Sequence, residues 1–242
     1  MPALIGFRGV EVRLGGRAVL SGLNLDVEEG ETLVLLGRSG SGKTTALRLV
    51  NAMLYPASGE VRVEGRATRE WDPIRLRRRI GYVIQEGGLF PHFTVARNVA
   101  LPAALEQWPA ARIGERVREM LSLVNLDPDR YGSRYPRELS GGERQRVGVA
   151  RALAADPPIL LFDEPFGALD PVTRAELQNE FGALARRLRK TVLFVTHDVR
   201  EALKLGTRIG LMRGGRMEGP TTPGEFLRSQ SEEARAFQAC MD

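Results

Sequence analysis

Short apolar runs, separated by glycine, proline and charged clusters, alternate along the chain with longer amphipathic stretches. Apolar-rich segments over 4–14 and 19–27, punctuated by Gly15-Gly16 and Glu29-Gly30, predict β-hairpin material. A strand over 32–36 leads into a glycine-rich stretch and then a helix over 43–53, which ends at Pro56-Ala57-Ser58-Gly59 before a short strand over 60–63. A further apolar strand is predicted over 80–85. From 94 to 155 the pattern is helical, broken at Pro102, Pro109, Asp127-Pro128 and Tyr135-Pro136, as expected of a helix-rich insertion between strands. Three later β-rich runs, 158–162, 191–196 and 207–212, alternate with helices over 172–189 and 199–205. Such alternation predicts a largely parallel sheet covered by helices. After Gly219 the chain reads as a short Pro-containing stretch and a charged terminal helix.

The 242 residues, 43% of them hydrophobic, suffice for one large α/β domain or two small ones. No apolar stretch reaches the length of a membrane span, and the N-terminus lacks a signal-peptide pattern, so a cytosolic location is expected. The single cysteine, Cys240, excludes an intrachain disulfide framework. An excess of 35 Lys+Arg over 30 Asp+Glu gives a net charge of +5, compatible with phosphates, nucleic acid or an anionic surface. The densest basic run, Arg75, Arg77, Arg78 and Arg79, reads as a solvated helix face, because no aromatic platform or recognition helix accompanies it. No nucleic-acid partner is expected.

Chemistry concentrates in three places. Gly37-Arg38-Ser39-Gly40-Ser41-Gly42-Lys43-Thr44-Thr45 lies between a strand and a helix, where small glycines let successive N–H groups turn toward phosphates and the helix presents its positive end to the same anion. Lys43 would add a cation at the β/γ-phosphates, and the Thr44 hydroxyl can ligate Mg²⁺. The buried-type strand ending in Asp163-Glu164 delivers two carboxylates at its C-terminal edge, where open α/β sheets bind ligands. Asp163 suits Mg²⁺, directly or through water, and Glu164 suits proton abstraction from an attacking water. In Leu139-Ser140-Gly141-Gly142-Glu143-Arg144-Gln145-Arg146, Ser140 with the amides of Gly141 and Gly142 would form a second anion site at a helix N-terminus. The same residues also read as an N-cap with a capping box completed by Glu143, and the two roles are compatible.

With Ala168-Leu169-Asp170 and with His197 after Val195-Thr196, these motifs resemble, in order and spacing over nearly the whole chain, the nucleotide-binding subunit of an ABC transporter. The resemblance implies an α/β fold: a P-loop NTPase core with a mixed, mainly parallel sheet, an N-terminal antiparallel β subdomain and a helical signature subdomain. It implies one ATPase domain over 1–242, with core and β subdomain at about 1–93 and 157–242 and the helical part at about 94–156. It also implies ATP and Mg²⁺ as cofactors, and a head-to-tail homodimer in which ATP on one loop is capped by the partner's signature. Gln85 matches the glutamine that senses Mg²⁺ and water and moves with the membrane domains. His197 matches the switch histidine at the γ-phosphate, and Asp170 the residue that communicates across the dimer. His92 carries no such role.

Four stretches, 80–85, 88–92, 134–136 and 147–158, resemble more narrowly the ATPase subunits of quaternary-amine importers, which take up glycine betaine, choline, carnitine or proline. That resemblance implies transmembrane permease subunits, a substrate-binding protein and a place on the cytoplasmic side of the membrane. An exporter or lipid-transport ATPase, and a non-transport ABC switch protein, are the competing readings. The chain departs from the family pattern at Leu14, where an adenine-stacking aromatic is usual, at Glu143 in place of glutamine, and at Gly167 in place of serine. It also stops at Asp242 without the regulatory domains that many relatives carry, so regulation of that kind is not expected.

Overall fold

A computed structural model describes residues 3–241, with the side chains of residues 86, 87 and 186 outside the description. In chain order the elements are β1 (Ala3–Leu14), β2 (Arg17–Glu28), β3 (Thr32–Gly37), α1 (Lys43–Val50), β4 (Ser58–Val63), β5 (Arg66–Ala67), α2 (Pro73–Arg78) and β6 (Ile80–Val83). There follow α3 (Val95–Leu105), α4 (Ala110–Leu123), α5 (Pro128–Tyr131), α6 (Gly141–Leu153), β7 (Ile159–Asp163) and α7 (Pro171–Leu188). The chain continues through β8 (Thr191–Thr196), α8 (Val199–Leu205), β9 (Arg208–Arg213), β10 (Arg216–Thr221), α9 (Pro223–Arg228) and α10 (Glu232–Gln238). Residues up to Arg77 and from Ala185 onward form one compact unit, and Arg78–Leu184 form another.

In the first unit, β1 and β2 pair antiparallel through the Gly15-Gly16 turn, where φ values of +55° and +79° suit the tight turn that a right-twisted hairpin needs. β4 pairs with the other edge of β1, and β5 with β4, to complete an antiparallel sheet in the order β2-β1-β4-β5. β3 runs parallel to β8 on one side and to β9 on the other, with Leu35 opposite Val195 and Gly210. Every residue of β3 and of β8 is buried, as the continuous apolar runs of a parallel sheet require. β10 adds antiparallel to β9, which makes the sheet mixed. α1 packs on β3 and β8 and also on β2 and β4, while α8 covers β3 and β8. Phe7, Leu20, Leu33, Leu36 and Leu47 are fully buried in this core.

In the second unit β6 and β7 pair parallel, with Tyr82 opposite Leu161. α6 packs against β6, α3 and α4. α4 buries Val117, Met120 and Leu121, one stripe at helical spacing, which explains why a stretch rich in charge still folds as a helix. Phe162, Phe166 and Phe181 cluster between β7 and α7, with Phe162 and Phe181 ring centroids 4.4 Å apart. The helix-rich region read over 94–155 is occupied by α3, α4, α5 and α6.

Candidate nucleotide site

In the first unit the phosphate loop is shaped by two glycines with left-handed backbone, Gly40 at φ +77° and Gly42 at φ +105°. A Cβ on Gly42 would also come within 2.6 Å of Leu20 Cδ2, so both conformation and the packed β2 strand exclude a side chain there. Gly37 lies buried against the backbone of Met212 in β9 and close to Ser41 Oγ. The turn between β9 and β10 ties the loop to the hairpin: Gly215 N donates to Ser41 O at 3.2 Å, and Ser21 N donates to Gly215 O at 2.9 Å. Lys43, 4% exposed, folds back so that Nζ donates to Gly37 O at 2.7 Å and Arg38 O at 2.9 Å. α1 begins at this lysine with no capping side chain on Gly42 and no acidic residue in its first turn, which leaves the positive helix end facing the loop. Ser41 Oγ is buried and has no hydrogen-bond partner among the described residues. A loop of this shape, with a buried orphan hydroxyl, an ammonium held on loop carbonyls and an uncapped helix start, fits a polyphosphate.

Thr44 and Thr45 occupy the first turn of α1 and are half-buried. Leu14 ends β1, pairs with Arg17 and is 47% exposed. His197 is exposed at the end of β8, and the following turn is fixed by Asp198 N donating to Thr196 Oγ1 at 2.9 Å and Arg200 N donating to Asp198 Oδ1 at 2.8 Å. Arg38 is held in a way the sequence did not reveal. Its Nε donates at 2.8 Å to Glu233 of α10, whose side chain is 5% exposed.

The remaining expected site residues belong to the second unit. Asp163 closes β7, and its Oδ2 accepts a 3.1 Å hydrogen bond from Tyr82 of β6. Glu164 has φ +47°, left-handed backbone that a non-glycine residue adopts only when its surroundings impose it, at a cost of about 1–3 kcal/mol. The imposing contacts are visible. Phe166 is buried beside Phe181, Gly167 N donates to Glu164 O at 3.2 Å, and the Arg174 guanidinium donates to the carbonyls of Phe166, Gly167 and Leu169. Asp170 Oδ1 accepts from the amides of Val172 and Thr173 at 3.1 and 3.0 Å and so caps α7. Hydrogen bonds from Thr173, side chain first and then backbone, hold its carboxyl below the ordinary aspartate range.

Gln85 opens a short 3₁₀ turn after β6 and is exposed. A Cβ at Gly167 would lie 3.6 Å from Gln85 Nε2, so the glutamine amide lies beside the loop that follows Glu164. The far end of the Gln85 turn is fixed by Arg151, which donates to Gly88 O at 2.9 Å. Asn98, fully buried, receives Phe90 N and donates to the carbonyls of Phe90, Phe93 and Thr94. Ser140 caps α6 with its Oγ accepting from Glu143 N at 3.2 Å. A Cβ on Gly142 would come within 2.6 Å of Thr173 Cγ2, so glycine is demanded there by the first turn of α7, while one on Gly141 would press on Leu169 Cδ2 at 3.2 Å. Tyr82 and Glu233 carried no local signal, because each acts on a partner distant in sequence, whereas Arg174 and Asn98 reach carbonyls of nearby loops in no motif that sequence reasoning singled out.

A family model described as ABC transporter matches residues 20–167. Among curated relatives, the glycine betaine/carnitine/choline transport ATP-binding protein OpuCA of Bacillus subtilis is 49% identical over 223 residues, 92% of this chain and 58% of that protein. The osmoprotectant import ATP-binding protein OsmV of Salmonella typhimurium is 49% identical over 87% of this chain and 55% of its own length. The glycine betaine uptake system ATP-binding protein YehX of Escherichia coli is 48% identical over 97% of this chain and 76% of its own. The chain thus spans a little over half the length of several relatives it matches. Among solved structures, the dimeric bacterial ABC transporter cassette MJ0796 superposes with a TM-score of 0.80 at 34% identity, covering 90% of this chain and 98% of that one. The same cassette in a post-hydrolysis state bound to ADP and Pi gives a TM-score of 0.79 at 33% identity. With the phosphate loop, the capped Leu-Ser-Gly-Gly helix and the Asp163-Glu164 strand end built as described, the chain belongs to the ABC transporter family as an ATP-binding cassette.

Proposed function

We propose that this chain hydrolyses ATP as a head-to-tail homodimer and so drives import of a quaternary-amine osmoprotectant through separate permease subunits, at the cytoplasmic side of the membrane. The observation that carries the reading is the phosphate loop, with its buried Lys43 ammonium, orphan Ser41 hydroxyl and uncapped α1 start. In this reading the loop from Gly37 to Thr45 binds the polyphosphate, and Lys43 leaves the carbonyls of Gly37 and Arg38 to neutralise charge on the β/γ-phosphates. Leu14 gives the base an apolar contact without ring stacking. Mg²⁺, when bound, supplies charge neutralisation at the same phosphates, and Thr44, Asp163 and Gln85 are the groups suited to hold it, directly or through water. Glu164 takes a proton from the attacking water, and His197 steadies the γ-phosphate. Ser140, Gly141 and Gly142 cap ATP held on the partner's loop, and Asp170 links the two sites.

The solute class rests on the names of the relatives, and the permease and a substrate-binding protein follow from the same similarity. The exporter reading and the non-transport switch reading predict different partners. Co-purification with a polytopic permease, followed by ATP-driven betaine uptake in proteoliposomes, separates the three. The activity itself is tested by Mg²⁺-dependent ATP hydrolysis. Glu164→Gln is expected to keep ATP binding and lose turnover by about 10²–10⁴-fold. Lys43→Ala is expected to lose ATP affinity. Normal turnover in the first variant or normal binding in the second overturns the assigned roles.

A further inference from the structure

Glu143 is one of the positions at which this chain departs from the family pattern, and its carboxylate is fully engaged. Oε2 accepts Ser140 N at 2.7 Å, while Oε1 accepts the Tyr131 hydroxyl at 2.7 Å. The return bond from Glu143 N to Ser140 Oγ completes a reciprocal box at the start of α6. A carboxylate only accepts, so it can take both an amide and a phenol proton, whereas a glutamine would turn a donor toward one of them. The box also fixes Ser140. Its oxygen accepts from Glu143 N, and its side chain also hydrogen-bonds the Glu143 carboxylate, so Glu143 holds the serine at its amide and at its hydroxyl.

Tyr131 is not itself loose. It ends α5, its N donates to Asp127 O at 2.9 Å, and the guanidinium groups of Arg134 and Arg130 lie over its ring at 4.6 and 5.5 Å. α5 in turn is tied to α4 by the paired contacts of Arg118 with Asp129 at 2.7 and 3.0 Å. A rigid donor from α5 therefore sets the rotamer of Glu143, and Glu143 sets both the backbone and the hydroxyl of Ser140.

We propose that Tyr131 is a positioning residue for the signature serine: through Glu143 it holds Ser140 in place for the phosphate bound by the partner copy. The inference rests on the head-to-tail dimer of the preceding section. It gives the acidic signature residue a purpose, and it makes Tyr131 important for the assembled dimer but not for nucleotide binding by one copy.

The experiment uses the full chain in a Glu164→Gln background, with ATP-driven dimerisation followed by sedimentation and nucleotide affinity followed with a fluorescent ATP analogue at protein concentrations too low for dimers. Failure of the background protein to dimerise with ATP defeats the dimer reading itself. If it dimerises, Tyr131→Phe is expected to weaken dimerisation by about three- to tenfold, the effect of a lost charge-assisted hydrogen bond acting at one remove. Single-copy ATP affinity is expected to stay within about twofold. Glu143→Ala is expected to weaken dimerisation at least as much, and adding Tyr131→Phe to it is expected to do nothing further. Unchanged dimerisation in Tyr131→Phe, an equal loss of single-copy ATP affinity, or a Tyr131→Phe effect that persists in the Glu143→Ala background overturns the proposal.

Discussion

Tyr131 and Glu143 titrate at opposite ends of the pH scale, and one hydrogen bond shifts both. Burial raises the Glu143 carboxyl, but the bonds from Tyr131 and Ser140 and the charge of Arg134 outweigh it, leaving the group below its ordinary value of 4.5. The Tyr131 phenol is raised above 10.0, first by its bond to Glu143 and then by burial and the carboxylate charge. A lowered carboxyl contributes stability that is present above 4.5 and lost as pH falls through the folded value, and a raised phenol contributes stability present below 10.0 and lost as pH rises through its own. The pair is only half-buried, so solvent screening limits the bond to about 0.5–1 kcal/mol. Tyr131→Phe is therefore expected to lower Tm by about 1–3 °C at neutral pH. The gap to the unchanged protein should narrow both below 4.5 and above 10.0, as read by thermal melts across the pH range. A gap independent of pH would separate the loss from the ionisation of either group.

α10 reaches the phosphate loop through one carboxylate, and that is a property of the element. Its N-terminus is capped by Ser231 Oγ, which accepts from Ala234 N at 3.2 Å, and Ala234 and Phe237 bury one face. Glu233 on this helix binds Arg38 Nε at 2.8 Å and approaches Arg213 Nε at 3.6 Å, whereas its neighbour Glu232 binds Arg213 from a side chain that is 83% exposed. Because the Arg38 side chain is itself 70% exposed, the Glu233 pair contributes less than a buried one, about 1–2 kcal/mol. Glu233→Ala is expected to lower Tm by about 2–6 °C, and Glu232→Ala by no more than about 1 °C, in thermal melts without nucleotide. Equal effects of the two would place the contribution in the helix and not in the contact with Arg38. Which elements the sequence disclosed follows from the same contrast between local and distant causes. β3, β7 and β8 are short runs of buried residues and α8 begins at an Asp198 cap, so each was legible at its own position. β10 was not read as a strand, and its end after Gly219 was read as a Pro-containing stretch; Gly219 and Pro220 argue against a strand, yet an edge position beside β9 tolerates both. Gln85 was read at the end of a strand and instead opens a turn, since β6 ends at Val83 and Ile84 is extended but unpaired.

For the whole molecule, the motifs were legible because each is a local run whose chemistry depends on adjacent residues: glycine φ angles in the phosphate loop, a capping box in the signature, carboxylates at a strand end. The ends of the second unit lie within α2 and α7 and not in a loop, so no linker announces them. The support that Tyr82 gives Asp163 joins residues that only the fold brings together. The proposed dimer has a consequence that a single copy cannot imitate. If ATP on one copy's loop is capped by the other copy's Ser140, then Lys43→Ala and Ser140→Ala each disable both sites of their own homodimer. Mixed in equal amounts, they form heterodimers in which one site has both defects and the other has neither. Random pairing makes half the dimers mixed, each with one intact site, so the mixture is expected to recover up to about a quarter of full ATP hydrolysis from two inactive proteins. The control is a mixture of Lys43→Ala with a protein carrying both changes, which contains no intact site and should stay inactive. Recovery in the first mixture alone requires one site to be built from two chains. A mixture no more active than its parts, under conditions where exchange of labelled copies is demonstrated, means that ATP hydrolysis does not use the partner's signature in this way.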